Sequence, residues 1–283
     1  LMFPIRDVQG RVLGFGGRRG DDADGPKYLN SPETPISHKG SNLYGLSWAR
    51  PSIRREESAL VVEGYMDVVS LAAHGFENVV APLGTALTPE QAKLLSRYTK
   101  RVLLLFDSDA AGLRATFKAG DTLLEAGLHP AVVTLPPGED PDTLVRSEGR
   151  EGLEQYLDQA VDVLDRKLQI LDEKDYFSSI ERPRSAVDRL LPTIRAASDP
   201  ALHDIYVAKV ADRTGVRRET LEAEMKRAAS GSAPTRVAAP PSVPRIAAHR
   251  VPKLGAERIL LLLMTKNPDF VERAGEHVGS GDF

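Results

Sequence analysis

The chain has 283 residues, 41% of them hydrophobic and 27% charged, which gives ample apolar surface for a folded core and room for roughly two domains of ~150 residues. Its 23 glycines and 20 prolines are scattered, which excludes collagen-like and coiled-coil patterns, and the lack of cysteine excludes disulfides and cysteine zinc sites within it. A net charge of −3 carries no global nucleic-acid signature, so any such signature must be local.

Met2 to Ile5 and Arg11 to Gly16 are short apolar runs split by Asp7-Val8-Gln9-Gly10, a hairpin pattern. Residues 18 to 58 read as loop-rich, with Gly20-Asp21-Asp22, Asn30-Ser31-Pro32 and Pro35. From residue 59 the pattern alternates. Strands are predicted at Leu60 to Val62, Asn78 to Leu83, Arg101 to Phe106 and Ala131 to Leu135. Helices are predicted at Tyr65 to His74, from Pro89 onward, and at Ala110 to Ala126. Thr88 caps the second of these, Pro89 suits its first position, and Gln91 completes a capping box. Strands alternating with helices predict an α/β fold with a parallel sheet covered on both faces.

Residues 150 to 229 contain no strand-like run and read as a helical bundle broken near Pro183, Pro192, Pro200 and Gly215. Residues 230 to 253 are rich in Pro, Ala and Ser, carry four basic residues and no acid, and read as a flexible linker. Leu254 to Lys266 reads as a helix opening a further module over residues 254–283. The run Ile259 to Met264 is too short to span a bilayer, and no signal peptide is visible. A cytoplasmic protein without a membrane partner is expected. The chain opens on Leu1 rather than Met and reads as a fragment.

Three groups of acids follow predicted strands: Glu63, then Asp107 and Asp109, then Asp140 and Asp142. In a parallel sheet the C-terminal strand ends share one edge, where ligands bind in open α/β folds. Several carboxylates at that edge cannot all stay ionised without a cation, and hard oxygen ligands select Mg²⁺ or Mn²⁺. Such an ion serves phosphoryl transfer. Asp109 alone equally suits a helix cap before Ala110, and Asp-x-Asp also occurs in phosphatases and glycosyltransferases. A second, basic group (Arg18, Arg19, Lys27, His38 and Lys39) surrounds Lys27 to Thr34, a segment that a solvated loop would also explain.

These motifs, in this order and spacing, resemble the catalytic core of bacterial DNA primases of the DnaG type. The resemblance rests on Met2-Phe3-Pro4-Ile5-Arg6-Asp7, Gly14-Phe15-Gly16-Gly17-Arg18, Lys27-Tyr28-Leu29-Asn30-Ser31-Pro32-Glu33-Thr34, His38-Lys39-Gly40 and Leu43-Tyr44-Gly45. It continues through Val61-Val62-Glu63-Gly64-Tyr65-Met66-Asp67-Val68, Leu83-Gly84-Thr85-Ala86, Phe106-Asp107-Ser108-Asp109-Ala110-Ala111-Gly112 and Gly138-Glu139-Asp140-Pro141-Asp142-Thr143-Leu144. It covers residues 1 to about 150. Glu63 with Asp107 and Asp109 alone would resemble only the wider Toprim group, which includes topoisomerases and nucleases.

The resemblance implies a Toprim-like parallel-sheet core over residues 58–149, preceded by a basic β-containing lobe over residues 1–57 that is truncated at its N-terminus. A helical subdomain over 150–229, the linker and a helicase-interaction module would follow. Glu63, Asp107 and Asp109 would be the catalytic and metal-binding acids, with Asp140 and Asp142 further acids near the metals and Asp67 another acid of the motif. Arg18, Lys27, Asn30 and Lys39 would contact nucleotide and template. The implied activity is RNA primer synthesis from NTPs on single-stranded DNA for replication. The implied partners are the replicative helicase and a single-stranded-DNA-binding protein. Zn²⁺ would belong only to the family's N-terminal zinc module. Tyr28 and Tyr44 are candidates for base stacking or for burial. The residues leave open a Toprim topoisomerase or nuclease, a haloacid-dehalogenase-like phosphatase, and a non-catalytic DNA- or helicase-binding module.

Overall fold

The computed structural model describes residues 1–20, 28–34, 38–84, 86–177 and 182–229. The predicted linker and the helix from Leu254 lie outside the described residues.

Strands β1 (Met2–Arg6) and β2 (Val12–Arg18) form the predicted antiparallel hairpin. Its turn is built by Asp7, whose Oδ1 accepts from the N–H groups of Gln9 and Arg11 at 2.9 Å each. Asp7 Oδ2 accepts from Arg11 Nε at 2.6 Å, and Gly10 supplies the positive φ of +89°. Strand β3 (Tyr28–Asn30) pairs antiparallel with β2. The register sets Phe3, Gly16 and Asn30 side by side on one face. Tyr65 packs on that face. A Cβ on Gly16 would lie 3.2 Å from its ring, and its hydroxyl donates to the Gly17 carbonyl at 3.0 Å. The small sheet is thereby fixed over the start of the helix that carries Tyr65.

The loop-rich reading of residues 18 to 58 needs a correction. Residues 39–41 form one 3₁₀ turn, and α1 (Leu46–Arg55) is a regular helix that buries Leu46, Ala49, Ser52 and Ile53. The three- and four-residue spacing is that of an amphipathic helix. Pro51 hides it in the sequence, because an interior proline removes a hydrogen bond and argues against helix. Burial of Ala49 and Ile53 to 0% exposure outweighs that loss.

The larger sheet has the order β5-β4-β6-β7-β8. Strand β4 (Ser58–Val61) leads into α2 (Tyr65–Ala73), and β5 (Val79–Val80) is followed by α3 (Pro89–Leu95). Strand β6 (Arg101–Leu104) leads into α4 (Ala110–Glu125), and β7 (His129–Val132) into α5 (Pro141–Asp158). These four strands are parallel. Alternate residues go to opposite faces. Leu60 and Leu103 join the core under α2 and α5, while Ala59, Val61, Val102 and Leu104 join the core under α1, α3 and α4. Burial on both faces explains why the strand runs are continuously apolar.

The capping box at Thr88 forms as predicted, with Gln91 N–H donating to Thr88 Oγ1 at 3.1 Å and Thr88 N–H to Gln91 Oε1 at 3.0 Å. Gln91 does more than cap. Its Nε2 donates to the carbonyls of Lys39 (3.0 Å) and Asn42 (2.8 Å), and the side chain is fully buried. It therefore clamps the turn carrying Lys39 onto α3. Gln91→Leu is expected to leave both carbonyls without a donor and to cost about 2–3 kcal/mol, read as a lowered urea midpoint. An unchanged midpoint would show that water replaces the clamp.

The last strand, β8 (Val161–Asp162), is antiparallel to β7 and lies in the stretch predicted to be wholly helical. Two residues carry no readable period, and the pairing follows from the packing of α6 (Val163–Glu173) against β7. Helices α7 (Arg182–Ala196), α8 (Pro200–Thr214) and α9 (Arg218–Ala229) complete a helical layer with its own core, including Leu164, Leu190, Ile194 and Tyr206. Pro200 opens α8 and Gly215, with φ +71°, closes it, as predicted. Pro192 does not break α7. Leu190, Leu191, Thr193 and Ile194 around it are all buried, so packing holds the helix through the missing bond. Among the described residues no helix is long and apolar enough to cross a membrane.

Candidate active site

The sheet delivers the predicted acids to one edge. Glu63 lies two residues beyond β4, Asp107 three beyond β6, and Asp140 is the N-cap of α5. A cavity of ≈ 380 Å³ is lined by Asn30, Glu63, Asp67, Gly84, Asp107 and Asp140, among others. Residues separated by more than a hundred positions thus meet at the place that open α/β sheets use for ligands.

The carboxylates feel one another. Glu63 is raised above the usual carboxylate range by burial and by the charges of Asp107 and Asp109, although the Asp107 N–H, 3.4 Å from Glu63 Oε1, works the other way. Asp107 is raised by burial and by Asp140 and Asp109. Asp67 is pushed up to about 7: burial dominates, a hydrogen bond from the Gly64 N–H at 3.0 Å opposes it, and Asp107, Asp140 and Asp142 add repulsion. Asp142 is lowered. Burial works against this, but the Ser70 hydroxyl and the Arg146 and Arg18 guanidinium groups prevail.

Several of these acids also serve helix starts. Asp109 Oδ1 accepts from the N–H groups of Ala111 (2.8 Å) and Gly112 (2.7 Å), so the capping role that the sequence left open is realised. Asp140 caps α5 through the Thr143 N–H at 2.7 Å, and Asp142 pairs with Arg146 at 2.6 Å. Among the described residues no three His, Asp or Glu side chains stand close enough together to hold one ion. Asp109 and Asp140 each commit Oδ1 to a helix N-terminus, so their Oδ2 atoms are the ones a shared cation would meet.

A carboxyl whose folded pKa lies above its unfolded value of ~3.9 stabilises the fold while protonated and opposes it once ionised. The contribution of Asp67 is therefore present below pH ~4 and is lost as pH rises toward about 7. In metal-free buffer, wild-type melting temperature is expected to fall between about pH 5 and about pH 8. Asp67→Asn should remove part of that slope. Parallel wild-type and variant curves would place Asp67 in the ordinary range.

Of the basic group, Arg18 ends β2 and is half-buried, and its charge reaches Asp142. Lys39 opens the 3₁₀ turn, with its N–H donating to Glu33 Oε1 at 3.1 Å. Lys27 lies outside the described residues. Neither Arg18 nor Lys39 lines the cavity among the acids, whereas Asn30 does. Tyr44 is buried, stacked edge-on against Trp48 at 5.4 Å, so burial rather than base stacking describes it.

Sequence reasoning missed the glycine frame of Asn30. A Cβ on Gly84 (φ +73°) would lie 2.9 Å from Asn30 Nδ2, and one on Gly16 would lie 3.0 Å from Asn30 Oδ1. Asn30 Oδ1 is buried and accepts no hydrogen bond from the described residues. The signal was present in the glycines of β2 and in Gly84, but only the fold sets them around one amide.

Two family models match the chain: the DNA primase catalytic core, N-terminal domain, over residues 1–50, and a Toprim-like model over residues 60–145. The solved DNA primase domain from Pseudomonas aeruginosa superposes with a TM-score of 0.72 at 39% identity, covering 80% of this chain and 71% of that one. The chain belongs to the DnaG-type bacterial DNA primase family. The DnaG primase catalytic domain solved bound to single-stranded DNA gives a TM-score of 0.69 at 41% identity, over 77% of this chain and 70% of that one. Among curated primases, that of Clostridium acetobutylicum is 42% identical over 221 residues, which is 78% of this chain and 37% of that protein. The Escherichia coli K12 primase is 51% identical over 165 residues, 57% of this chain and 28% of that protein. The chain therefore spans between about a quarter and two-fifths of these primases. The sheet, the acid-bearing edge and the preceding small sheet are the Toprim-like core and primase N-terminal segment of that family.

Proposed function

We propose that this chain is the RNA-polymerising core of a primase, which joins NTPs into a short RNA primer on a single-stranded DNA template during replication. The observation that carries the reading is the meeting of Glu63, Asp67, Asp107 and Asp140 at one cavity beside the buried amide of Asn30, within a primase-family fold.

The donor set suits a hard divalent cation. It is made of carboxylate oxygens, and Glu63 and Asp107 are raised by burial together with repulsion that a cation would relieve. We assign Glu63, Asp107 and Asp109 as its ligands, with Asp140 and Asp142 as further acids nearby, and Mg²⁺ or Mn²⁺ as the ion. When bound, such an ion would lower the pKa of a 3′-hydroxyl and offset triphosphate charge. The protein's own residues do the positioning. Asn30 offers an acceptor to a donor group of the nucleotide. Arg18, Lys27 and Lys39 neutralise phosphate charge. Gln91 holds the Lys39 turn through its backbone carbonyl, so the Lys39 ammonium is not part of that clamp.

The domain division proposed is a basic lobe over 1–57, a catalytic domain over 58–149 and a helical subdomain over 150–229, followed by a linker (230–253) and the start of a helicase-interaction module (254–283). The protein would act in the cytoplasm at the replisome with the replicative helicase and a single-stranded-DNA-binding protein. Zn²⁺ would belong to a zinc module elsewhere in the full-length family member. The related Aquifex aeolicus structure is described as containing zinc-binding and RNA polymerase domains.

The test is primer synthesis on single-stranded template with labelled NTPs, with and without Mg²⁺. Metal-dependent RNA products are expected, and nicking of supercoiled plasmid in their place would indicate a Toprim nuclease. Lys39→Ala and Lys27→Ala are each expected to lower the log–log salt slope of template binding by roughly 0.7 per lost phosphate contact. Unchanged slopes in both would remove these lysines from the interface.

A further inference from the structure

A second cavity, of ≈ 450 Å³, lies between α4, α6 and α7, away from the carboxylates. Arg114, Lys167, Lys174 and Arg189 surround it, with the rings of Phe117 and Tyr176, over an apolar floor that includes Leu113 and Leu190. No described acid lines it. Two of the cations are held in place before any ligand arrives. Lys167 is ion-paired with Asp121, donates to Thr193 Oγ1 and sits 5.0 Å from the Phe117 ring centroid, and Arg189 sits 5.2 Å from that of Tyr176. Arg114 and Arg189 are exposed at its rim.

We propose that this cavity binds a compact polyphosphate, specifically a nucleoside di- or triphosphate, with its base on the apolar floor and its phosphates at the rim cations. The volume is that of small-ligand pockets, ~300–1,000 Å³. With Lys167 already offset by Asp121, Arg114, Lys174 and Arg189 leave the wall of the cavity positive, which matches a ligand with several negative charges close together. A nucleic-acid strand instead spreads one charge per nucleotide along a track. Aromatic faces beside cations suit a planar base. The site is separate from the acids, because Phe117 lies eight residues beyond the Asp109 cap, roughly 12 Å along α4. Both sites nevertheless share α4, so a ligand here would bear on the helix that Asp109 caps.

The experiment is calorimetric titration of the full chain with ATP and with inorganic tripolyphosphate in metal-free buffer. There the carboxylate cluster has no ion to hold a triphosphate. Arg114→Ala with Arg189→Ala is expected to weaken ATP binding by at least about tenfold, the effect of losing one charge-assisted hydrogen bond. Tighter binding of ATP than of tripolyphosphate is expected, and equal binding would overturn the nucleoside part of the proposal. Because Arg189 supports Tyr176, thermal melts accompany the titrations. Arg114→Glu, a reversal on the exposed face of α4, should give the same loss if the double variant fails to fold. Three results would overturn the proposal: no heat with either probe, wild-type affinity in the Arg114 and Arg189 variants, or binding shown only by a single-stranded oligonucleotide.

Discussion

Asp107→Asn is expected to reduce primer synthesis by about a thousandfold or more while the fold keeps or gains stability. The two halves of this result have separate causes. A ligand carboxylate on a catalytic cation supplies several kcal/mol of charge stabilisation, and each ~1.4 kcal/mol is a factor of ten in rate. In the folded chain, however, Asp107 is a strained charge, raised by burial and by Asp140 and Asp109. Removing that charge relieves repulsion, so the melting temperature in metal-free buffer should not fall. Asp109 differs, because its Oδ1 caps α4. Asp109→Ala loses both charge and cap and should cost about 1 kcal/mol of stability, whereas Asp109→Asn keeps a good cap and loses only the charge. Both should be inactive. Activity near wild type in a well-folded Asp107→Asn protein would refute the metal-ligand assignment.

Gly112→Ala is expected to disable the site through the backbone. Gly112 is buried in the first turn of α4, and a Cβ there would stand 2.3 Å from the Asp107 carbonyl oxygen and 3.0 Å from Glu63 Oε1. The nearer atom is main chain and cannot swing aside. Either the start of α4 moves or the Asp107 segment does, and both carry acids of the cluster. Overpacking of this kind costs about 1–3 kcal/mol, a drop of several degrees in melting temperature for a chain of this size. Primer synthesis should be lost together with the stability. Gly10→Ala is the matched control. Its φ of +89° strains an alanine, but no atom lies within 4 Å, so it should lower stability and spare synthesis. Normal synthesis by Gly112→Ala would mean that the acids tolerate displacement.

Much of this fold was legible because its strands are buried on both faces. Leu60-Val61-Val62 and Val102 to Phe106 read as strands from apolar continuity alone, and the glycine, proline and Thr88 signals placed the intervening helices. Where these readings failed, packing had overruled local preference. Pro51 and Pro192 sit inside helices because their neighbours are buried, and β8 exists because α6 docks beside β7.

The carboxylates divide along the same line. Which acids follow strands is readable from the chain alone, since parallel topology sends those strand ends to one edge. Their individual states come from contacts between distant segments. Asp109 and Asp140 are committed to helix caps, Asp142 is held low beside Arg146, and Asp67 is raised to about 7. The fold also set Asn30 between Gly16 and Gly84. Strand ends follow from local apolar runs, which one segment carries alone. Burial, repulsion and caps depend on distances between segments dozens of residues apart, and those distances exist only once the sheet has formed.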